Sequence, residues 1–377
     1  MRYILKHEDK EILSFSLEQD AYGLNAKDLD ICEKNREFLP LDLVPSERGI
    51  LSWLSHRFIP SNRAYVSNLV SRLGFNERDK KALLDVSKAL SLNDVYWIVP
   101  ERSDRLYRDY NLYEHRFSRI LGLIAFTGHG TSTNRSSLRS SPEFTTNGML
   151  AKCWRRIDSK ILLYKSGTVG FSNSGNEPYS EFYAAQIAET MGINHVGYNL
   201  SRWKKMLCST CELFTSKDES FISIGRLVKE GGIRCVEEYI RNLGDSFYQD
   251  YIDMLVFDAV IMNEDRHFGN FGVIVDNSTN TIIRMAPCFD HGLALLPYLS
   301  ERNLDDIEAY ADTRRPAAYD DFYEFLKGKI GTRQKEKLRR LIGFRFKKHS
   351  RYNLSKERLA LLEEAIQKRV QKILEIK

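Results

Sequence analysis

The feature that most restricts the fold is a short polar segment between an apolar helix and a β-hairpin. This segment, 262–270, reads MNEDRHFGN. The residues before it, 251–261, are apolar apart from two aspartates and predict a buried helix. The residues after it predict two strands, 271–276 and 281–285, joined by a polar turn. Asp, Arg, His and Asn at such a junction fit either a functional loop or a loop of helix-capping residues.

A second polar loop follows the hairpin and carries another carboxylate. It reads APCFDHG over 286–292, so Asp290 precedes a glycine by two positions. Because hairpin strands are antiparallel, this loop returns to the end of the sheet where the first loop lies. We therefore expect Asp265, Asn270 and Asp290 to come close together.

Two carboxylates and one amide are the set that phosphoryl transfer requires. One carboxylate, here Asp265, orients an acceptor hydroxyl, while Asn270 and Asp290 would hold Mg²⁺ on the phosphates. The spacing D-x-x-x-x-N, followed by a distal D-x-G, repeats the arrangement of protein kinases. The pattern therefore favours a functional loop. Arg266 and His267 are interpreted as residues that brace it by hydrogen bonds.

The upstream half holds the other parts that a nucleotide site needs. Lys165 ends a predicted apolar strand, where a lysine can pair with phosphate oxygens, although it also fits a surface lysine. Fourteen of the twenty residues in 129–148 are Gly, Ser, Thr, Asn or Pro. This composition predicts a loop, ending at Gly148, that either covers phosphates or lies on the surface. Glu177 and Glu181, near the start of the next predicted amphipathic helix, are both candidates to pair with Lys165.

Composition excludes several classes of protein. Hydrophobic residues make up 42% and charged residues 28% of the chain, as in globular proteins. No apolar window approaches a membrane span, and the charged start predicts no signal peptide. Six scattered cysteines suit a reducing compartment, so we expect a cytoplasmic protein without a membrane partner. Cys208 and Cys211 have C-x-x-C spacing without a second pair, and are interpreted as buried strand cysteines rather than as a zinc or redox site.

The net charge of +5 is unevenly placed along the chain. Residues 333–377 hold 15 Lys and Arg against 5 Asp and Glu, a local balance of +10, so the rest sums to −5. A basic tail fits a nucleic acid or an acidic partner, but it also fits a helix with a solvated face. Its charges alternate around apolar positions, so we favour the helix and do not expect direct nucleic-acid binding.

These motifs together resemble the HipA-like family of bacterial protein kinases, over most of residues 1–345. Residues 263–270 are similar to that family's catalytic loop, and Phe289 with Asp290 resembles its aromatic–Asp metal-binding pair. The Asn-Glu-Pro start at 176–178 resembles the helix that follows the family's nucleotide lysine.

Three further segments carry the same resemblance. Residues 211–214, CELF, resemble the E-x-F hinge, which implies that the backbone near Glu212 and Phe214 holds adenine. Residues 53–63 are similar to the family's extra N-terminal subdomain. Residues 141–148 resemble a variant Gly-rich loop that lacks the usual A-S-G-x-x-P-K form.

The resemblance implies an α+β, protein-kinase-like, two-lobed fold. Its expected parts are an N-terminal subdomain over 1–105, an N-lobe with phosphate loop and hinge over 106–215, and a helical C-lobe over 216–377. The implied activity is that of an ATP- and Mg²⁺-dependent Ser/Thr protein kinase. Such a kinase can phosphorylate itself and act as a toxin-like regulator with an antitoxin partner. The candidate autophosphorylation sites are the loop serines Ser136, Ser137, Ser140 and Ser141.

Two alternatives remain open from the sequence. Phosphoinositide kinases also carry a D-R-H-x-x-N loop, so the acceptor could be a lipid or a small molecule. A protein of another class would be a non-catalytic pseudokinase or a DNA-associated regulator that uses the basic tail. The presence of Lys165, Asp265, Asn270 and Asp290 argues against a dead site.

Overall fold

The computed structural model describes residues 1–76, 78–131, 140–170 and 174–376. The strands within these ranges are β1 (Arg2–His7), β2 (Lys10–Gln19), β3 (Leu24–Ile31), β4 (Tyr96–Pro100), β5 (Lys152–Ile157), β6 (Lys160–Ser166), β7 (Tyr198–Trp203), β8 (Met206–Glu212), β9 (Glu219–Ser223), β10 (Gly272–Asp276) and β11 (Thr281–Met285). The helices are α1 (Glu47–Ser55), α2 (Val66–Arg72), α3 (Lys80–Ser87), α4 (Arg119–Thr127), α5 (Glu177–Met191), α6 (Ile224–Leu227), α7 (Gly232–Leu243), α8 (Asp245–Ile261), α9 (Ile307–Asp312), α10 (Phe322–Leu326), α11 (Thr332–Arg339) and α12 (Lys356–Leu374). No helix in these ranges has the length and apolar character of a membrane span.

The chain divides into two compact units. The first comprises Met1–Lys165, Leu213–Ile222 and Ile274–Ile283, and the second comprises Ser166–Glu212, Ser223–Val273 and Arg284–Lys377. The mixture of small sheets and helices confirms the predicted α+β class. The boundaries expected at residues 105 and 215 stay a prediction.

An antiparallel sheet in the order β3-β2-β1-β4 forms the start of the first unit. Alternation along β2 buries Leu13, Phe15 and Leu17, which pack with Trp53 and Leu54 of α1 in one apolar cluster. Burying several large side chains at about 1.5–3 kcal/mol each gives this part of the chain a core. Strand β4 is not predicted from the sequence, because its residues are apolar on both faces and show no alternation.

The β5–β6 hairpin also belongs to the first unit. It is antiparallel from Lys152↔Lys165 to Ile157↔Lys160, with a left-handed Asp158 (φ 53°) in its turn. The first strand starts at Lys152, three residues after Met149. The Met149 carbonyl instead accepts a hydrogen bond from the Ala64 N–H at 2.7 Å, so its backbone is paired outside the ladder.

The second unit is built around two buried helices. Helix α5 ends at the predicted Gly192, which adopts the left-handed conformation (φ 70°). The predicted amphipathic pattern of α5 is wrong, since ten of its fifteen residues are buried. The residues 344–353 cover its other side: Tyr183 donates to Asn353 at 2.9 Å, and Gln186 exchanges two hydrogen bonds with the Lys347 backbone. Helix α8 is buried throughout 251–261, as predicted.

The C-terminal region contains two helices, α11 and α12, in agreement with the helix favoured for the basic tail. Helix α12 packs on α8 and α9 through an apolar stripe that includes Leu359, Leu362, Ile366 and Val370. Its basic residues, however, do not all lie on a solvated face. Arg358 and Arg369 are buried, and Arg369 donates to the Ala259 carbonyl of α8 at 2.7 Å.

Candidate active site

The polar loop after α8 begins where that helix is capped. Met262 takes the left-handed conformation (φ 57°), and the backbone N–H of Asn263 donates to the Asp258 carbonyl at 3.0 Å. The buried Asp258 carboxylate also accepts from Asn263 Nδ2 at 2.9 Å. Asp258 therefore reaches from the helix into the loop, although the sequence showed it only as a polar interruption in an apolar helix.

Arg266 is the centre of this loop. It forms a bidentate ion pair with Asp258, with Nε–Oδ2 at 2.8 Å and Nη2–Oδ1 at 3.0 Å, and both side chains are buried. Burial alone lowers the pKa of the guanidinium, but the Asp258 carboxylate outweighs it and raises the Arg266 pKa above its usual value. Arg266 is therefore a fixed cation, which confirms that it braces the loop.

The same guanidinium joins the loops on either side of the hairpin. Nη1 donates to the Asn270 carbonyl at 2.7 Å and to the Phe289 carbonyl at 2.8 Å, and Nη2 lies 3.2 Å from Nδ1 of His291. At the base of the hairpin the Ala286 N–H donates to the Gly272 carbonyl at 2.9 Å. The loop that carries Asp290 thus returns to the loop that carries Asn270, as the antiparallel pairing predicts.

Asp265 and Asn270 contact each other within the first loop. Asn270 Nδ2 donates to the Asp265 carbonyl oxygen at 2.9 Å and lies 3.4 Å from Asp265 Oδ2. Because Nδ2 of Asn270 hydrogen-bonds to Asp265, the side-chain atom of Asn270 that could bind a metal ion is its amide oxygen. His267 is exposed, and its Nδ1 accepts the Gly269 N–H at 2.9 Å, so it shapes the turn as expected.

Asp290 has an unusual backbone. Its φ of 57° lies in the left-handed region, which costs about 1–2 kcal/mol for a residue with a side chain. Its N–H donates to the Tyr198 hydroxyl at 3.0 Å, and the Tyr198 ring lies against His291 at 6.1 Å. Burial and the nearby Glu181 carboxylate raise the Tyr198 pKa well above its usual value, so the phenol stays protonated. The hydrogen bond to the Tyr198 hydroxyl therefore helps to hold the Asp290 backbone in this conformation.

The two candidate glutamates of α5 have other partners in the second unit. Glu177 Oε1 accepts hydrogen bonds from the Thr168 N–H at 3.1 Å, the Thr168 hydroxyl and the Tyr298 hydroxyl at 2.9 Å. Glu181 accepts a hydrogen bond from the Ser209 hydroxyl. The pairing of either glutamate with Lys165 stays a prediction.

Lys165 lies in the first unit, on β6. The β5–β6 register places it directly opposite Lys152, and both lysines are buried. Directly opposite residues project from the same face of a sheet, with Cβ atoms about 4.5–5.5 Å apart. Lys152 is a candidate site residue that the sequence pattern did not indicate. Only its position opposite Lys165 in the β5–β6 register identifies it.

The loop before β5 is described from Ser140 onwards. Ser136 and Ser137 lie outside the described residues. Ser140 donates to the Ser87 carbonyl at 2.9 Å, whereas Ser141 is fully buried. Gly148 has a φ of 93° and closely approaches Lys152, whose Nζ would lie 2.2 Å from an added Cβ. The backbone angle explains why glycine occupies position 148, because side chains rarely tolerate it, whereas the end of the flexible Lys152 side chain could shift.

The segment predicted as a hinge follows β8. Glu212 is exposed at the end of the strand, the Leu213 N–H donates to the Ile161 carbonyl at 2.9 Å, and the Phe214 ring lies 5.5 Å from Phe221. Cys208 and Cys211 lie three residues apart on β8, so they project from opposite faces. Cys208 is buried as expected, but Cys211 is only half-buried.

The donor set at the two loops fits a magnesium ion. Asp290 supplies a carboxylate and Asn270 an amide oxygen, and hard cations prefer such oxygen ligands. Among the described residues, no group of three or more His, Cys, Asp or Glu side chains forms a metal cluster. That Asn270 and Asp290 hold Mg²⁺ stays a prediction.

No protein-family model and no curated protein matches the sequence. Solved structures that are similar to the chain include the following two. One is HipA of Shewanella oneidensis MR-1, solved with HipB and its operator DNA, which has 12% identity and a TM-score of 0.54 over 100% of both chains. The other is the Helicobacter pylori proinflammatory kinase CtkA, with 19% identity and a TM-score of 0.48, covering 60% of this chain and 92% of that one. The likeness to the Shewanella protein over the full length shows that this chain has a HipA-like fold.

Proposed function

We propose that this protein is an ATP- and Mg²⁺-dependent Ser/Thr protein kinase. The observation that carries the proposal is Arg266, which binds the carbonyls of Asn270 and Phe289 and so joins the two loops. Asp265 and Asn270 lie on one of these loops and Asp290 on the other. This combination of a carboxylate, an amide and a second carboxylate has the chemistry of phosphoryl transfer.

Each residue has a stated role in the proposal. Asp265 would accept a hydrogen bond from the acceptor hydroxyl and orient it toward the γ-phosphate. The hydrogen bond from Asn270 keeps the Asp265 carboxylate in one orientation, and such positioning supplies most of the catalysis in this reaction. Asn270 and Asp290 would hold Mg²⁺, which when bound shields the charge of the phosphates.

The nucleotide would contact residues of several segments. Lys165 would pair with phosphate oxygens, and backbone N–H groups near Gly148 would cover them. Glu177 would orient the start of α5, and Phe289 would pack beside the metal-binding Asp290. The backbone near Glu212 and Phe214 would hold adenine.

Replacement of single carboxylates tests the proposed chemistry. We expect Asp265→Asn and Asp290→Asn each to reduce ³²P transfer from γ-labelled ATP by at least a hundredfold, without a change in folded structure. Glu264→Gln is the matched control, because Glu264 neighbours Asp265 but pairs with Arg314 at 3.3 Å. Undiminished transfer in folded Asp265→Asn would remove Asp265 from the mechanism.

The acceptor is tested in the same assay. Label on protein serine or threonine supports the proposal, whereas label on phosphoinositides alone would favour a lipid kinase. Phosphopeptide mapping would then locate any autophosphorylation. Of the loop serines, Ser140 is more accessible than the buried Ser141.

We also propose that the protein is a toxin-like regulator with an antitoxin partner. The support is the Shewanella HipA structure, which contains HipB and its operator DNA. Co-purification of the tagged chain with the product of the adjacent gene tests this proposal. If the product of the adjacent gene neither binds the chain nor changes its activity, the proposal is contradicted.

A further inference from the structure

Arg63 is a buried arginine whose side-chain hydrogen bonds, within the described part of the chain, end on the candidate phosphate loop and the strand after it. Only 3% of its surface is exposed. Nη1 donates to the carbonyls of Glu143 at 3.0 Å and Thr146 at 3.3 Å. Nη2 donates to the Glu143 carboxylate at 3.0 Å and to the Lys152 carbonyl at 2.7 Å. One guanidinium therefore joins three points of a ten-residue segment.

Glu143 closes this arrangement from the other side. Its second carboxylate oxygen accepts the Trp154 N–H at 2.8 Å, and the Trp154 indole donates to the Thr146 hydroxyl at 3.0 Å. Both Arg63 and Glu143 are almost fully buried, with side chains 1% exposed. Buried charges are stable only when they are paired and hydrogen-bonded. Replacement of either residue would therefore leave the charge of the other unpaired in the interior.

Two further hydrogen bonds attach the same segment to the N-terminal residues. The Ala64 N–H donates to the Met149 carbonyl at 2.7 Å, and the Thr145 hydroxyl donates to the Leu90 carbonyl at 2.8 Å. The segment 143–152 is thus held at both ends and in its middle.

The consequence reaches the candidate phosphate-binding groups. Arg63 fixes the backbone of Lys152, which lies directly opposite Lys165 in the β5–β6 ladder. Gly148 lies between Thr146 and Lys152, whose carbonyls both bind Arg63. The direction of the backbone N–H groups near Gly148 and the position of β5 beside Lys165 therefore depend on one side chain.

We propose that Arg63 is a positioning residue for nucleoside triphosphate binding: with Glu143, it holds segment 143–152 in the shape that engages the phosphates. The inference rests on the proposed function for the identity of the ligand. It gives the N-terminal region a role in ligand binding beyond its own stability. The planar guanidinium fork is essential to this role, since a lysine ammonium cannot serve acceptors on both terminal nitrogens with the same geometry.

Arg57 offers a matched control in the same region. It is also buried and forms a bidentate ion pair with Asp94, at 3.0 and 2.6 Å, and donates to the Ala89 carbonyl at 3.1 Å. These partners lie outside segment 143–152. Arg57→Lys and Arg63→Lys therefore weaken the N-terminal region in similar ways, but only Arg63→Lys loosens the loop.

The first test measures Mg-ATP affinity of the full chain by calorimetry, below the unfolding temperature of both variants. We expect Arg63→Lys to raise the Kd and the KM for ATP at least tenfold with a smaller change in kcat, and Arg57→Lys to change the Kd less than twofold. Equal changes in the two variants, or none in Arg63→Lys, would overturn the inference. If Arg63→Lys does not fold, Glu143→Gln replaces it, with the same expected tenfold loss.

A second test does not depend on the ligand. Hydrogen exchange of backbone amides in 144–154, including the Trp154 N–H, is compared in the two variants. We expect exchange there to rise at least tenfold in Arg63→Lys and to stay unchanged in Arg57→Lys. If the wild-type chain binds no Mg-ATP, the proposed function fails and so does the assigned ligand. Faster exchange in 144–154 of Arg63→Lys alone would then still show that Arg63 holds the segment. Equal exchange in the two variants would refute that role as well.

Discussion

Single buried charges determine much of the geometry of the candidate site. Arg266 pairs with Asp258 of α8 and binds the carbonyls of Asn270 and Phe289 in the two loops. Sequence patterns place Arg266 in a motif, but they do not show which acceptors its five N–H groups reach. Those acceptors come from a helix and two loops, which only folding brings together.

Arg266→Lys is expected to disrupt both loops at once. A lysine keeps the charge but loses the fork, leaving Asp258 and two carbonyls incompletely paired in the interior. We expect a loss of about 3–5 kcal/mol in the free energy of unfolding, the range for breaking a buried pair. Urea denaturation measures this loss. Arg351→Lys, at an exposed position, is the control, and equal stability in the two variants would contradict the prediction.

His7 gives the first unit a pH dependence. Its ring lies 5.0 Å from both Phe38 and Tyr96, and burial, reinforced by Lys10, lowers its pKa to about 4. The unfolded chain therefore binds a proton at a higher pH than the folded chain. Stability from the neutral ring is fully present above pH 6.5 and is lost as the pH falls toward about 4.

We expect this loss to reach about 2 kcal/mol between pH 7.5 and pH 5. Urea midpoints of the wild type and His7→Phe measure it, since phenylalanine fills similar space without titrating. As the pH falls, the wild type should lose stability relative to His7→Phe, so the difference in their urea midpoints should shrink or reverse. A pH-independent difference would show that His7 does not titrate as stated.

At the scale of elements, helix α12 stabilises the segment that follows Asp290. Arg358 is 1% exposed and donates to the carbonyls of Leu299 at 2.7 Å and Leu296 at 2.5 Å. Leu295 and Leu296 have positive φ angles of 56° and 57°, a conformation that residues with side chains rarely adopt. Arg358 therefore satisfies carbonyls in a segment with a strained backbone.

Arg358→Met should weaken that segment more than α12 itself. Methionine preserves the apolar stem but removes the donor to the Leu299 carbonyl, at about 1–3 kcal/mol. The Leu296 carbonyl loses one of its two donors and keeps the Leu299 N–H at 3.1 Å. Hydrogen exchange in 292–300 should rise while exchange in the centre of α12 changes little. Arg351→Met, at an exposed position, serves as control. Uniform exchange across both elements would contradict a local role for Arg358.

At the scale of the whole molecule, much of the basic tail's charge is used internally. Nine of its cations contact carboxylates, carbonyls or aromatic rings within the chain: Arg333, Lys335, Lys337, Arg340, Arg345, Arg358, Lys368, Arg369 and Lys372. Of these, Arg358 and Arg369 are buried and cannot face phosphates. The local balance of +10 therefore overstates the positive surface of this region.

Duplex DNA provides the corresponding test. At 150 mM salt we expect the chain alone to give no mobility shift, because only a minority of the tail's cations remain for phosphate contacts. The exposed cations Lys347, Lys348 and Arg351 are the ones to neutralise if a shift appears. A salt-sensitive shift that disappears in that triple variant would favour the DNA-associated alternative.

The sequence by itself determined the local parts of this protein. Local patterns placed the two hairpin strands within one residue and the end of α8 at Ile261, because each depends on neighbours a few positions away. Helix α8 begins at Asp245, six residues before the predicted apolar stretch. The spacing from Asp265 to Asn270 also sufficed to bring those two residues together, since one short turn contains both.

Only the tertiary structure decided how distant parts support one another. The register of β5 and β6 places Lys152 opposite Lys165. Arg63 pairs with Glu143, which lies eighty residues further along the chain. The apolar pattern of α5 suggested one exposed face, but the distant residues 344–353 cover it. A buried charge or an unmatched carbonyl is stabilised by whichever group folding brings within about 3 Å, and no periodicity in the sequence records that partner.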